Sequence, residues 1–273
     1  MRFIFSALSL FLLLIASRAD VSAGQTKPIV FLESNREEAE RLWEQAIAAK
    51  GGRERLYSIN NLQFSVRDKA WWNLKRVPND MEALYVFPGK SWEWTDRTGT
   101  IFGFDIWMQN DEKNIHLAYS DCGKGKDVSV SQIFHSPTYR RGLTRMIIMQ
   151  LNFLMETRWV KPIPVSVERG KVGRHAVDIV RTILKGNGGV EERVSFALDR
   201  ESHLPRQVIY HTITFGKEYT GAVPLSDYSE VNGIQMPSKV YGKRWVFQLN
   251  VDYNERVFEQ PPSREAGIEA WKK

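Results

Sequence analysis

The 273-residue sequence contains one cysteine, Cys122, so no intrachain disulfide can form and stability must come from packing. With no basic helix or partner beside it, Cys122 between Asp121 and Gly123 reads as a lone thiol near a turn rather than a nucleophile. Blocks of like charge are also missing. The 38 Lys and Arg and 32 Asp and Glu are scattered, for a net +6, which argues against nucleic acid as a partner. There is no Gly-x-Ser-x-Gly elbow and no His-Glu-x-x-His, and His116, His135, His175, His203 and His211 fall singly on different expected elements. Gly186-Asn187-Gly188-Gly189 lies between two strand patterns, without the helix a phosphate loop feeds, and reads as a hairpin turn. An enzyme, a metal site and a cofactor are therefore not expected. Catalysis would require histidines or carboxylates brought together from separate elements.

Long apolar runs are absent from most of the chain, the N-terminus excepted. Arg2 precedes an apolar stretch from Phe3 to Ala16 broken only by Ser6 and Ser9, and Val21-Ser22-Ala23 supplies small residues for cleavage. At about 14 apolar residues, the stretch falls short of the roughly 20 that span a bilayer. It reads as a secretory signal peptide cleaved after Ala23, with no cysteine following to carry a lipid anchor. The mature protein is expected outside the cytoplasm, in the periplasm. The expected organisation is a signal peptide over 1–23, one domain over 24–262 and a C-terminal tail over 263–273.

Hydrophobic residues make up 42% of the chain and aromatics 12%, enough for a sizeable core. Residues 35–50 form an amphipathic helix pattern: Asn35 at the N-cap, Glu37, Glu38 and Glu40 near the positive end, and Leu42, Trp43, Ala46 and Ala49 on one side, stopped by Gly51-Gly52. From Leu62 the period changes to two. Leu62, Phe64 and Val66 alternate with Gln63, Ser65 and Arg67, and further strands are expected at 83–87, 91–95, 101–108 and 115–119. Residues 128–134 fit a strand or an ordered loop. Ser136-Pro137 then opens a helix reaching Glu156, whose middle, Met146 to Met155, is apolar almost all round and so belongs inside the molecule. Strands resume at 176–184, 190–198, 207–215, 217–222, 238–241 and 244–251.

About ten strands joined by short turns, with one helix before them and a very apolar one among them, suit an α+β fold in which a curved antiparallel sheet forms an incomplete barrel covered by helices. The turns share a grammar: Leu198-Asp199 to Leu204-Pro205, Tyr228 to Asn232-Gly233-Ile234 and Pro237, and Asn250 to Phe258 and Pro261. Together with the helix ending Ala-Lys-Gly-Gly and the apolar helix after the first strands, these phrases resemble the periplasmic LolA-like superfamily of lipoprotein-localisation factors and outer-membrane lipoprotein-sorting proteins. That resemblance implies a half-open β-barrel with a helical lid over an apolar cavity that accepts acyl chains.

The expected function is a carrier holding the acyl chains of a lipid or lipoprotein, with transient contact to a membrane surface or envelope proteins and none to nucleic acid. The alternative is an envelope sensor or scaffold that uses the same fold to bind a protein partner. Candidate lining residues are Met146, Met149, Phe153 and Met155, whose methionines repack at little cost, and Trp92, Trp94, Phe102, Phe104 and Trp107 at the cavity mouth. The competing reading for all of them is ordinary core.

Overall fold

The structure, a computed structural model, describes residues 35–72, 74–97, 103–109, 115–120, 132–133, 145–185, 191–214, 217–258 and 271–272. The expected signal peptide, Phe102, Cys122 and residues 138–144 of the expected long helix lie outside them.

Helix α1 (Arg36–Lys50) buries Ala39, Leu42, Trp43, Ala46 and Ile47, the one-sided spacing of an amphipathic helix. Its acidic first turn and Lys50 in the last turn complement the helix dipole. Asn35 does not cap it through its side chain; it adopts a left-handed backbone, φ 80°, in which the side chain makes no cap bond. Gly51 ends the helix at φ 127°, and a Cβ there would stand 2.3 Å from the carbonyl oxygen of Gly233. Only glycine lets the chain turn and touch that hairpin at once. The short helix α2 (Arg53–Tyr57) follows and buries Leu56.

A thirteen-stranded antiparallel sheet forms the body of the molecule. One wing runs β1 (Asn61–Val66), β4 (Asp80–Val86), β5 (Lys90–Arg97), β6 (Gly103–Gln109), β7 (Ile115–Ser120) and β8 (Gln132–Ile133). The other runs backwards along the chain from β1 through β15 (Lys243–Leu249), β14 (Ile234–Val240), β13 (Lys217–Val231), β12 (Pro205–Thr214), β11 (Glu191–Asp199) and β10 (His175–Lys185) to β9 (Ile163–Val172). The sheet is curved and does not close, since β8 and β9 are its two ends. Strands β2 (Lys69–Trp72) and β3 (Lys75–Pro78) form a separate two-stranded arm that prolongs the β1–β4 pair.

The sequence reading missed β9 because Pro164 and the run Glu168, Arg169, Lys171 hide its alternation, and both features suit an edge strand. It also ended the strand at Ala222, whereas β13 continues to Val231 through Pro224. The strand changes partner there: residues to Pro224 pair with β12, and those from Leu225 pair with β14. A missing N–H is tolerated at such a changeover.

Both faces of the central strands are covered. On one face α1, α2 and the apolar helix α3 (Arg145–Leu154) pack on Leu62, Phe64, Ala83, Tyr85, Val194, Phe196, Met236 and Phe247. On the other, Leu84, Trp92 and Trp94 form a second cluster with Val257, Phe258 and Trp271 from the C-terminal segment.

Candidate functional site

The interior beneath α3 is built from aromatic rings and methionines. Phe153 of α3 lies 4.8 Å from Phe247, 5.4 Å from Trp245 and 5.9 Å from Phe64, centroid to centroid. Met146, Met149 and Met155 are buried in the same cluster. The structure thus brings together the four α3 candidates expected from the sequence. It separates Trp92 and Trp94 from them, because their register partners Leu84 and Glu82 also face the second cluster or its border, across the sheet. Phe104 and Trp107 pair with Asp96 and Glu93 along the β5–β6 ladder, and their side chains, like Phe102, lie outside what is described.

Three polar attachments hold α3 in place. Tyr210 Oη donates to Asn152 Oδ1 at 2.7 Å and lies 3.3 Å from the Ile148 carbonyl. Thr157 Oγ1 donates to Gln150 Oε1 at 2.6 Å, tying the helix to the turn that follows it. At its end Met155 takes a left-handed backbone, φ 65°, which swings Glu156 toward α1 and α2. Sequence reasoning singled out neither Glu156 nor its partners, since residues 99 to 113 positions apart carry no local signal.

Glu156 is the third attachment. Its carboxylate accepts from Trp43 Nε1 at 2.9 Å, from Arg53 Nε at 2.8 Å and from the Tyr57 hydroxyl. Burial opposes its ionisation, but the hydrogen bonds from Arg53, Tyr57 and Trp43 and the Arg53 charge prevail, holding the carboxyl below its usual range. Burial and the neighbouring carboxylate push the Tyr57 hydroxyl up to about 12. Arg53 also reaches Glu44 at 2.8 Å. Around this node opens a cleft of about 280 Å³ lined by Trp43, Glu44, Arg53, Tyr57, Lys161 and Pro162, among others.

The sheet itself parts beneath α3. Strands β14 and β15 pair only at Val240–Lys243 and Lys239–Arg244, next to their turn. Beyond it, Asn232 Nδ2 spans the gap by donating to the Leu249 carbonyl at 3.2 Å, and Lys50 Nζ of α1 donates to the Gln235 carbonyl on the β14 side. Pro237, on the same edge as Gln235 by antiparallel alternation, has no N–H to leave unpaired. Lys50 is fully buried, 5.1 Å from the Tyr228 ring, and desolvation lowers its pKa to about 7. Among the described residues no group of His, Cys, Asp and Glu could hold a metal ion.

A curved, open antiparallel sheet with a helix layer over one face is the arrangement on which known structures can be compared. This chain is similar to LolA superfamily structures. The LolA superfamily protein NE2245 from Nitrosomonas europaea is 12% identical, with 81% of this chain and 97% of that chain covered and a TM-score of 0.45. A putative outer membrane lipoprotein-sorting protein domain from Vibrio parahaemolyticus is 10% identical over 82% of this chain and 97% of that one, TM-score 0.42. A DUF1329 family protein from Desulfovibrio piger is 10% identical over 84% and 98%, TM-score 0.48. No family model and no curated protein matches the sequence. These three TM-scores are below 0.5, so the likeness carries no argument about function.

Proposed function

We propose that this chain is a periplasmic binding protein, exported with cleavage after Ala23, whose single domain over 24–262 holds the acyl chains of a lipid or lipoprotein beneath α3. In this reading α3 is the lid of a half-open barrel, and residues 263–273 are a tail that returns to the domain through Trp271. The observation that carries it is α3 itself: an apolar helix with Met146, Met149 and Met155 around Phe153, lying where β14 and β15 part. Methionine side chains repack at little cost around a guest of variable shape. A sixteen-carbon chain offers about 13 kcal/mol gross on burial, to be set against the polar bonds and the apolar packing that hold α3 on the sheet.

Native mass spectrometry of protein purified gently from a periplasm tests this. The expected result is an adduct of lipid mass that long-chain fatty acid displaces, and that shrinks in Met149→Trp or Phe153→Trp variants of native circular dichroism. Bare protein that also ignores an environment-sensitive acyl probe sinks the carrier reading.

One observation favours a second reading, the sensor or scaffold. The interior is filled by Phe64, Phe153, Trp245 and Phe247 at centroid distances from 4.6 to 6.1 Å. Recovery of one stoichiometric protein partner by a protein empty of lipid is the outcome that selects it.

A further inference from the structure

The large apolar side chains left exposed among the described residues are Leu74 at 95%, Val246 at 50% and Tyr241 at 41%. Leu74 begins the return of the β2–β3 arm, and the base of that arm is fixed to the β14–β15 turn by Lys243 Nζ to Asp68 Oδ2 at 2.5 Å. Tyr241 belongs to that turn, whereas Val246 pairs with Ser65, one pair further in from Val66–Trp245 and mid-way along β15. Leu74 and Tyr241 therefore lie toward one end of the sheet.

The arm itself is basic, while Asp68 and Asp80 stand at its base, Asp68 paired with Lys243. From Lys69 to Pro78 the arm carries Lys69, Lys75 and Arg76 and no acidic residue. Arg244 stands on the adjoining strand, and none of these four cations has an ion-pair partner among the described residues. Register sets Trp71 opposite Arg76 and Trp72 opposite Lys75 on the same arm. Leu74 takes a left-handed backbone, φ 62°, at the tip. Holding a leucine there in water is unfavourable unless something apolar receives it.

We propose that this end of the molecule docks on the surface of an anionic phospholipid bilayer, with Leu74 inserted and Lys69, Lys75, Arg76 and Arg244 at the headgroups. Cations near an anionic surface gain from its potential. The site lies apart from the interior beneath α3, so docking does not depend on the carrier reading.

The test is co-sedimentation of the protein, purified from a periplasm, with vesicles of phosphatidylglycerol and phosphatidylethanolamine and with vesicles of phosphatidylcholine alone. Binding to the anionic vesicles is expected, with loss in about 0.5 M salt. Leu74→Asp is expected to weaken it about tenfold, and the triple reversal K69E/K75E/R76E roughly a hundredfold. These positions are exposed, so the variants should keep native circular dichroism and, where the protein takes up an acyl probe, that uptake. Wild-type protein that ignores anionic vesicles, or folded variants that bind as the wild type does, overturns the proposal. Vesicle binding without probe uptake leaves docking intact and removes the carrier reading.

Discussion

Glu156 fastens the end of α3 to both N-terminal helices through Trp43, Arg53 and Tyr57. Glu156→Gln keeps its shape but weakens three charge-assisted hydrogen bonds, while Arg53 retains Glu44. The expected cost is about 2 kcal/mol, reduced from a fully buried pair because Arg53 is 40% exposed. The folded carboxyl titrates below its unfolded value, so its contribution is present above the unfolded pKa and is lost as pH falls through the folded one. Urea midpoints taken near neutrality and at about pH 3 should show the wild type losing more than Glu156→Gln. Lys50 gives a dependence of the same sign at higher pH, because its pKa too is lower in the folded chain. Burial lowers it from 10.5 to about 7, so between those values the unfolded chain binds the extra proton and stability rises with pH. Lys50→Met should flatten that rise, and a midpoint that still climbs equally between about pH 7 and 10 would show that another group causes it.

Elements with a strict period were legible. The stripe of α1 and the alternation of β11 follow directly from 3.6 and 2.0 residues per repeat, although β11 is buried on both faces from Val194 to Asp199, where a wet face would be expected from Ser195. Strand β9 was not legible, because an edge strand blunted by Pro164 and charges loses the pattern that identifies it. The β2–β3 arm was missed for a related reason: it packs little of itself, leaving Lys69, Leu74, Lys75, Arg76 and Pro78 exposed, so burial did not shape its sequence. The gap between β14 and β15 is a pairing property, invisible in either strand alone. By antiparallel alternation from the Val240–Lys243 pair, the amides of Trp245 and Phe247 face it. Their hydrogen exchange should be at least tenfold faster than that of Val194 and Phe196, which sit in a strand paired on both sides. Equal protection would mean that the strands close against each other in solution.

At the scale of the molecule, alternation fixes which residues share a face and leaves open what covers each face. Met146, Met149, Phe153 and Met155 share one buried cluster, whereas Trp92 and Trp94, read from the sequence as lining the same cavity, lie in the other, and their side could not be assigned without the chain's far end. That end supplies their cover: Trp271 is 4% exposed against them, its Nε1 donates to Glu82 Oε1 at 2.5 Å, and its carbonyl accepts from the Asn254 amide at 2.7 Å. Glu82 keeps Arg67 at 2.9 Å and Gln63 at 3.3 Å when the indole is removed. Trp271→Ala therefore loses packing more than charge compensation, at about 3 kcal/mol. The loss should appear as a lower denaturation midpoint and a changed near-ultraviolet circular dichroism spectrum. Acyl-probe uptake, read on the opposite face, should stay as it is in the wild type. If uptake instead falls while the protein remains folded, the two faces are coupled through Leu84 and Tyr85, neighbours on β4 that point to opposite clusters.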